Sequence, residues 1–163
     1  MNPNDKGGTY DTAQLCENGH LITDAIYTNP EDVQPFCSKC GQPTITECKS
    51  CKTQIKGRDR YSSIISEYAR PNFCHKCGET YPWTERGLDA AKKYVEKIKE
   101  LKPEEKELLT KSIDDIVRVA PSQKVAIVDF KRLLAKMNSP SREITIGVIS
   151  DILTEGAKKA IGL

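Results

Sequence analysis

The sequence predicts an α+β protein in which two tandem zinc ribbons, built from short β-hairpins, precede a small α-helical bundle. Three observations lead to this fold class. All seven cysteines of the 163-residue chain lie between Cys16 and Cys77. They are paired at spacings typical of metal ligands. After Trp83 the composition changes to Lys, Glu, Leu, Ile and Ala, with apolar residues recurring every three or four positions, as in amphipathic helices.

The same observations divide the chain into four parts. Residues 1–10 have little to bury and are predicted to form a flexible tail. The first zinc ribbon is predicted over 11–47 and the second over 48–82. The helical domain is predicted over 83–163 because the turn residues largely disappear there until the first of several prolines.

Composition indicates the compartment. Hydrophobic residues make up 37% of the chain and charged residues 29%, which is polar for a globular protein but too apolar for a fully disordered one. The sequence has no apolar run of about 18 residues and no pattern of a signal peptide, so we expect a cytoplasmic protein without a membrane partner. In a reducing cytosol, regularly spaced cysteines indicate metal binding rather than disulfides.

The candidate ligands of the two ribbons form four pairs. These are Cys16 with His20, Cys37 with Cys40, Cys48 with Cys51, and Cys74 with Cys77. Eight nitrogen and sulfur donors fill two closed tetrahedral sites, so we expect two structural Zn²⁺ ions as cofactors. Gly41 and Gly78 directly follow the second cysteine of their pairs and supply the positive φ that such a turn prefers, whereas Lys52 stands at the corresponding place in the third pair.

The four ligand pairs can be combined into two metal sites in two ways. In tandem ribbons the first two pairs bind one ion and the last two bind the other, whereas in a cross-brace the pairs interleave. We favour tandem ribbons because seven residues, 41–47, separate the second and third pairs, and a cross-brace needs only two or three. Disulfides would leave one of seven cysteines unpaired, and an iron–sulfur cluster generally needs four thiolates, which only the second site offers.

The motifs around these ligands carry a family resemblance. The segments CENGH, FCSKCGQPT, CKSCK and NFCHKCGETYPW look like zinc-ribbon knuckles. The chain as a whole resembles an uncharacterised bacterial family in which such knuckles precede a helical tail. The resemblance implies a zinc-ribbon fold, a bacterial cytosol and the same eight ligands, and it implies no reaction.

Four helices are predicted in the C-terminal half. They begin near Thr84, at Pro103, after Ser122 and after Ser139, and the last fades at Gly156. Proline at a first helical position and serine at a cap are typical of helix starts. Connections this short make successive helices antiparallel neighbours, so we expect a small bundle.

The distribution of charge points to a nucleic-acid partner. Residues 11–47 carry six acids and one base, whereas residues 48–77 carry seven bases and two acids. Bases interleaved with aromatic residues can pair phosphates and stack on nucleobases, so the second ribbon is predicted to bind single-stranded RNA. The candidate contact residues are Lys52, Lys56, Arg58, Arg60, Tyr61 and Arg70. The competing interpretation is a solvated lysine face over a small aromatic core.

Two alternatives remain beside RNA binding. One is a ribonuclease activated by assembly, because a single group of residues offers both a general base and phosphate-binding cations. That group is His75, Arg58, Arg60, Asp59 and Glu67. Closed zinc sites leave no position for a reactive water, so we expect a binding protein rather than an enzyme.

The second alternative is a protein adaptor. The acidic and basic ribbons would then make an oriented contact with a partner or with another copy of the chain. Apolar residues outside the main helical stripes, Val125, Val128 and Ile146, would allow self-association or docking through the helical domain.

Overall fold

A computed structural model describes residues 9–62 and 67–163 of the chain. It divides into two compact units, the first ending at Thr84 and the second beginning at Glu85. Short antiparallel strands form the first unit and helices the second, which confirms the predicted α+β class. Residues 1–8 of the predicted tail lie outside the described residues, and the first strand begins at Tyr10.

The first unit contains two small antiparallel sheets. Their strands are β1 (Tyr10–Thr12), β2 (Gln14–Cys16), β3 (Leu21–Thr23), β4 (Thr44–Ile45) and β5 (Lys56–Asp59). One sheet has the order β3-β2-β4, and the other pairs β1 with β5. Because β1 belongs to the first predicted ribbon and β5 to the second, this pairing joins the two ribbons within one unit.

Each Cys-x-x-Cys turn is closed by an isolated antiparallel bridge. The bridges join Phe36 with Pro43, Glu47 with Gln54, and Phe73 with Thr80. They are the short hairpins that the knuckle motifs predicted. A single 3₁₀ turn, Pro30–Asp32, lies between β3 and β4.

The core of the first unit is small and includes metal ligands. Leu15, Ile55 and Trp83 are buried together with Cys48 and Cys74. Trp83 stacks on the ring of the neighbouring tyrosine with 4.8 Å between centroids, and its indole N–H donates to the carbonyl of a proline at 2.9 Å. A core that is partly sulfur needs metal to hold it together, because its apolar side chains are too few for a domain of this size.

The second unit is helical. Its helices, with the start of the first one in the preceding unit, are α1 (Pro82–Lys97), α2 (Pro103–Val117), α3 (Gln123–Lys136), α4 (Ser139–Ser150) and α5 (Glu155–Ile161). Helices α2 and α3 pack on each other, and α5 packs on α3. The buried side chains include Leu109, Ile116, Phe130, Leu133 and Ile149. No helix in the described part of the chain is long and apolar enough to cross a membrane.

The helices at the end of the chain differ from those that the sequence predicted. A fourth helix was expected to reach Gly156, but α4 ends at Ser150 and a separate helix, α5, starts at Glu155. The side-chain oxygen of Thr154 accepts a hydrogen bond from the backbone N–H of Ala157 at 3.2 Å and so caps α5. Gly156 therefore lies in the first turn of a new helix instead of ending the old one.

Candidate metal centres and their surroundings

The first candidate centre brings together Cys16, His20, Cys37 and Cys40, whose ligand atoms all lie within 4.8 Å of one another. The Nδ1 atom of His20 is 3.5 Å from the sulfur of Cys16 and 3.6 Å from that of Cys37. The sulfurs of Cys16 and Cys40 are 3.7 Å apart. Strand β2 ends at Cys16, so the sheet fixes the first ligand and the turn that follows brings in His20.

The second candidate centre brings together Cys48, Cys51, Cys74 and Cys77, again within 4.8 Å. The sulfurs of Cys48 and Cys77 are 3.7 Å apart, and those of Cys51 and Cys74 are 3.6 Å apart. Both centres combine consecutive pairs of ligands, so the tandem arrangement is confirmed and the cross-brace is wrong.

The spacing of the ligand atoms fits zinc. A tetrahedral ion with zinc–sulfur bonds of about 2.3 Å separates its sulfurs by about 3.8 Å, close to the distances found in both centres. A disulfide would need about 2.05 Å, and all seven cysteines are free thiols. Two structural Zn²⁺ ions therefore fit the two donor sets, as the sequence predicted. When bound, each ion supplies folding energy by joining distant parts of the chain.

The turns that present the sulfurs depend on left-handed backbone. Gly41 and Gly78 have φ values of +70° and +77°, as expected from the sequence. Lys52, at the matching position of the third turn, also adopts a positive φ, +61°. The backbone N–H of each of these residues donates to the carbonyl of the first cysteine of its pair. The turn geometry therefore holds even where a side chain makes it costly.

The turn between Cys16 and His20 has an additional constraint. Gly19 has a φ of +82°, and a Cβ there would lie 2.1 Å from the Arg70 guanidinium and 2.8 Å from the Trp83 side chain. The same guanidinium donates to the Gly19 carbonyl at 3.0 Å. Arg70 thus fastens the first centre's turn to the core that surrounds the second centre.

Hydrogen bonds and crowding set the protonation of the thiols. Burial raises the pKa of Cys37, but hydrogen bonds from backbone N–H groups and a hydrogen bond with the His20 ring lower that pKa to about 6. Hydrogen bonds with the side chain and backbone of Thr53 lower the pKa of Cys51 to about 6. At Cys77 a backbone N–H lowers the pKa, but burial and three neighbouring sulfurs raise it to about 12. Crowding by the neighbouring sulfurs therefore opposes deprotonation of Cys77 until a cation offsets the repulsion.

Four protein ligands surround each candidate ion, so neither centre has an open position for a water or a substrate. The arrangement is typical of structural zinc. What the centres provide is a rigid pair of turns in a unit with a small core.

The acidic and basic segments of the first unit neutralise each other through ion pairs. Arg58 donates to a carboxylate oxygen of Asp24 at 2.8 Å, and the Arg60 guanidinium lies 3.8 Å from the carboxylate of Asp11. Two more pairs follow the same pattern: Lys49 with Glu17, and Lys52 with Glu47. The opposite charges that the sequence placed in separate ribbons thus contribute cohesion inside one unit.

The other residues predicted to contact RNA lie in varied surroundings. The ammonium of Lys56 lies over the ring of Tyr10, 4.9 Å from its centroid. The side chain of Tyr61 is 81% exposed. Arg70 is committed to the contact with Gly19 described above and also lies over an indole ring, 5.8 Å from its centroid.

Four of the five residues considered for catalysis are divided between two clefts, and Arg60 lines neither of them. Arg58, Asp59 and Glu67 line one cleft of about 450 Å³. His75 lines the other, of about 470 Å³, beside the second metal centre. Tyr10 and Lys56 line both clefts. His75 thus lines a different cleft from Arg58, Asp59 and Glu67.

Asp11 is a structural residue that sequence reasoning missed. Its side chain is fully buried and accepts hydrogen bonds from the backbone N–H of Tyr27 at 3.0 Å and from the hydroxyl of Thr28 at 2.7 Å. Burial raises its pKa, but these hydrogen bonds and Arg60 outweigh that effect and hold the pKa below its usual value. The sequence shows Asp11 only as one of six acidic residues in the first ribbon. Its structural role could not be predicted because its hydrogen-bond partners lie far along the chain.

Comparison with known proteins assigns the family. Residues 9–161 match the model of a family described as "Uncharacterized protein conserved in bacteria (DUF2321)". Searches of curated proteins and of solved structures found no match. The family match spans both the metal-ligand pairs and the helices, in agreement with the resemblance that the knuckle motifs indicated. The chain therefore belongs to this bacterial family.

Proposed function

We propose that the protein is a zinc-stabilised module that binds single-stranded RNA through its first unit. The observation that carries the proposal is the set of cationic and aromatic side chains left exposed on the first unit. The side chain of Lys52 is 68% exposed, and Tyr10 and Tyr61 are 48% and 81% exposed. Lysines beside exposed aromatic rings suit a strand whose phosphates and bases are both accessible.

The closed metal centres support binding rather than catalysis. Each has four protein ligands, which leaves no site for a metal-activated water. The division of the candidate catalytic residues between two clefts also makes a ribonuclease the weaker alternative. Seven free cysteines, one of them exposed, support the further proposal that the protein works in a reducing cytoplasm.

Binding across a salt series tests this function. Zinc-loaded protein is mixed with a fluorescently labelled oligouridine RNA of about ten nucleotides, and anisotropy is followed between about 50 and 200 mM salt. We expect affinity to fall as salt rises because counterions are released from the RNA. The same samples on a denaturing gel should show intact RNA. Cleaved RNA would favour the ribonuclease, and absence of binding would contradict the proposal.

Removal of the metal provides the control. Protein stripped by a chelator keeps the same sequence and, with its thiols reprotonated, carries more positive charge, but it loses the fold of the first unit, so we expect it to bind the RNA much more weakly. Equal binding by stripped protein would mean that the lysines act without the zinc-held structure.

A second proposal concerns the helical domain, which we propose mediates self-association through α3. Val125 and Val128 are 65% and 64% exposed and lie one turn apart on that helix. Sedimentation of the zinc-loaded chain tests this proposal. We expect a concentration-dependent oligomer that Val125→Ser with Val128→Ser disrupts. The control variant is Ile144→Ser, at an exposed apolar residue on α4. A monomer at all concentrations would contradict the proposal.

A further inference from the structure

We infer that the RNA backbone binds in the cleft beside the second metal centre, with its phosphates held by Lys52, Lys56, His75 and Lys76. This inference rests on the proposed function and moves the contact away from Arg58 and Arg60. The cleft has a volume of about 470 Å³, and these four side chains line it together with Tyr10 and Cys51.

The metal-binding turns position the groups that would hold the phosphates. Lys52 directly follows Cys51, and His75 and Lys76 lie between Cys74 and Cys77. Two separate turns that share one metal centre therefore bring three of the four groups to one cleft. Their backbone is fixed by the metal ligands, so little conformational entropy is lost when a ligand binds.

The lysines of this cleft differ from the other bases of the unit in their partners. Within residues 9–62 and 67–163, Lys56 and Lys76 form no ion pair with a carboxylate. Lys52 pairs only with the exposed carboxylate of Glu47, at 3.4 Å. By contrast, Arg58 and Arg60 each face a carboxylate that is mostly or wholly buried. A phosphate meets available ammonium groups in the cleft, whereas at the arginines it would compete with a carboxylate.

The negative groups nearby do not fill the cleft. Two carboxylates line it: Glu47 pairs with Lys52, and the oxygens of Asp11 accept hydrogen bonds from other parts of the chain. Four thiolates with one Zn²⁺ carry a net charge of −2, which backbone N–H groups directed at the sulfurs partly offset. A neutral imidazole of His75 still has one N–H donor, so its contact with a phosphate oxygen needs no positive charge on the ring.

This chemistry defines the ligand class. Ammonium groups bind phosphodiesters without reading the bases, and Tyr10 offers an aromatic edge that tolerates any base. We therefore expect a single-stranded ligand of any sequence to bind, and single-stranded DNA to bind with comparable affinity.

A paired set of variants tests the cleft. Lys56→Ala with Lys76→Ala should weaken binding of the oligouridine RNA by about tenfold and make the salt slope shallower by about 1.4, since each lost phosphate contact removes about 0.7. The control, Lys92→Ala with Lys97→Ala, removes the same charge from the exposed face of α1 and should change affinity little. Lys56→Arg with Lys76→Arg should retain binding because it keeps both charges.

The remaining outcomes separate this inference from the proposed function. If the zinc-loaded protein binds RNA and the cleft variant binds equally well, the inference is overturned and the function stands. The same holds if the variant loses only zinc affinity, because the lysines then serve to neutralise thiolates. If the protein does not bind RNA, changes in the backbone amide NMR shifts on addition of pyrophosphate show whether the cleft binds phosphate. Shifts at residues 52, 75 and 76 retain it as a phosphate site without the RNA function, and no shifts overturn both.

Discussion

Residue 52 shows how strictly the metal-binding turns require a left-handed backbone. Glycine occupies this place in two turns, yet Lys52 adopts the same conformation with a φ of +61°. A side chain in that region costs on the order of 1 kcal/mol. The turn tolerates this penalty because moving the backbone would withdraw its N–H from the carbonyl of Cys48 and displace a ligand.

Glycine substitutions separate conformational strain from lack of space. Gly41 has a positive φ with no atom within 4 Å of the position that a Cβ would take, whereas a methyl on Gly19 meets Arg70 and Trp83. We expect Gly41→Ala to lower the free energy of unfolding by about 1 kcal/mol and Gly19→Ala by about 2 to 4 kcal/mol. Denaturant unfolding of the zinc-loaded chain measures both.

The control for these two variants is Gly147, which lies within α4 without a positive φ or a close neighbour. Gly147→Ala should stabilise the helical unit by about 0.5 to 1 kcal/mol. Equal losses at Gly19 and Gly41 would contradict the close approach of Arg70 to the first centre.

At the scale of elements, the end of α2 carries a strained residue. Val119 follows the helix with a φ of +52°, a conformation that β-branched residues rarely adopt. The next backbone N–H donates to the carbonyl of Asp115, which closes the helix in the manner usually served by glycine. The strain is tolerated because the reversal lets α3 pack on α2.

Replacing that residue should therefore stabilise the protein. Val119→Gly removes the contact between Cβ and backbone, and we expect the free energy of unfolding of the helical unit to rise by up to about 1 kcal/mol. Thermal denaturation followed by helical circular dichroism measures it. Val119 is 55% exposed, so little buried area is lost. A destabilised variant would mean that the valine makes a packing contact that outweighs its strain.

An ion pair between α2 and α3 should make the helical unit sensitive to acid. A hydrogen bond from Lys136, with another from the backbone N–H of Lys102, lowers the pKa of Glu105 below its usual value of 4.5. Because the folded-state pKa is the lower one, this stabilisation is fully present above pH 4.5 and is lost as pH falls below it. Glu105→Gln should therefore lower the melting temperature at pH 7 and have little effect near pH 3.

Melting curves of the unmodified protein and of the Glu105→Gln variant at these two pH values measure the difference in melting temperature. Glu104→Gln is the control, since Glu104 neighbours Glu105 on the exposed part of the first turn. A Glu105→Gln effect that persists at low pH would contradict the role of the carboxylate charge.

The sequence predicted the elements that depend on local spacing and missed those that depend on distant partners. Cys-x-x-Cys turns and amphipathic helices are set by neighbouring residues, so their existence was predicted. Strands of two to four residues are too short to show an alternation of apolar and polar residues. The pairing of β1 with β5 was therefore not predicted. Gly156 was misread because its helix has only seven residues and packs against α3, although the cap at Thr154 is a local signal.

At the scale of the whole molecule, the two units differ in what stabilises them. The helical unit buries many apolar side chains, whereas the first unit combines a few apolar side chains with two metal centres and several ion pairs. Structural zinc contributes on the order of 10 kcal/mol to such domains. The ligand set was predictable from counting cysteines and histidine. The ion pairing between the acidic residues of 11–47 and the basic residues of 48–77 was not predictable, since it depends on the tertiary fold.

Zinc loading of the whole chain, followed by the fluorescence of Trp83, tests the central claim most directly. Trp83 is the only tryptophan and is buried in the cluster that contains Cys48 and Cys74. We expect two zinc ions per chain, and a red shift of its emission on chelation while most of the helical circular dichroism remains. Cys77→Ser should reduce the stoichiometry to one. Fewer than two ions in the unmodified chain, or an emission unchanged by chelation, would contradict a first unit built on two structural zinc centres.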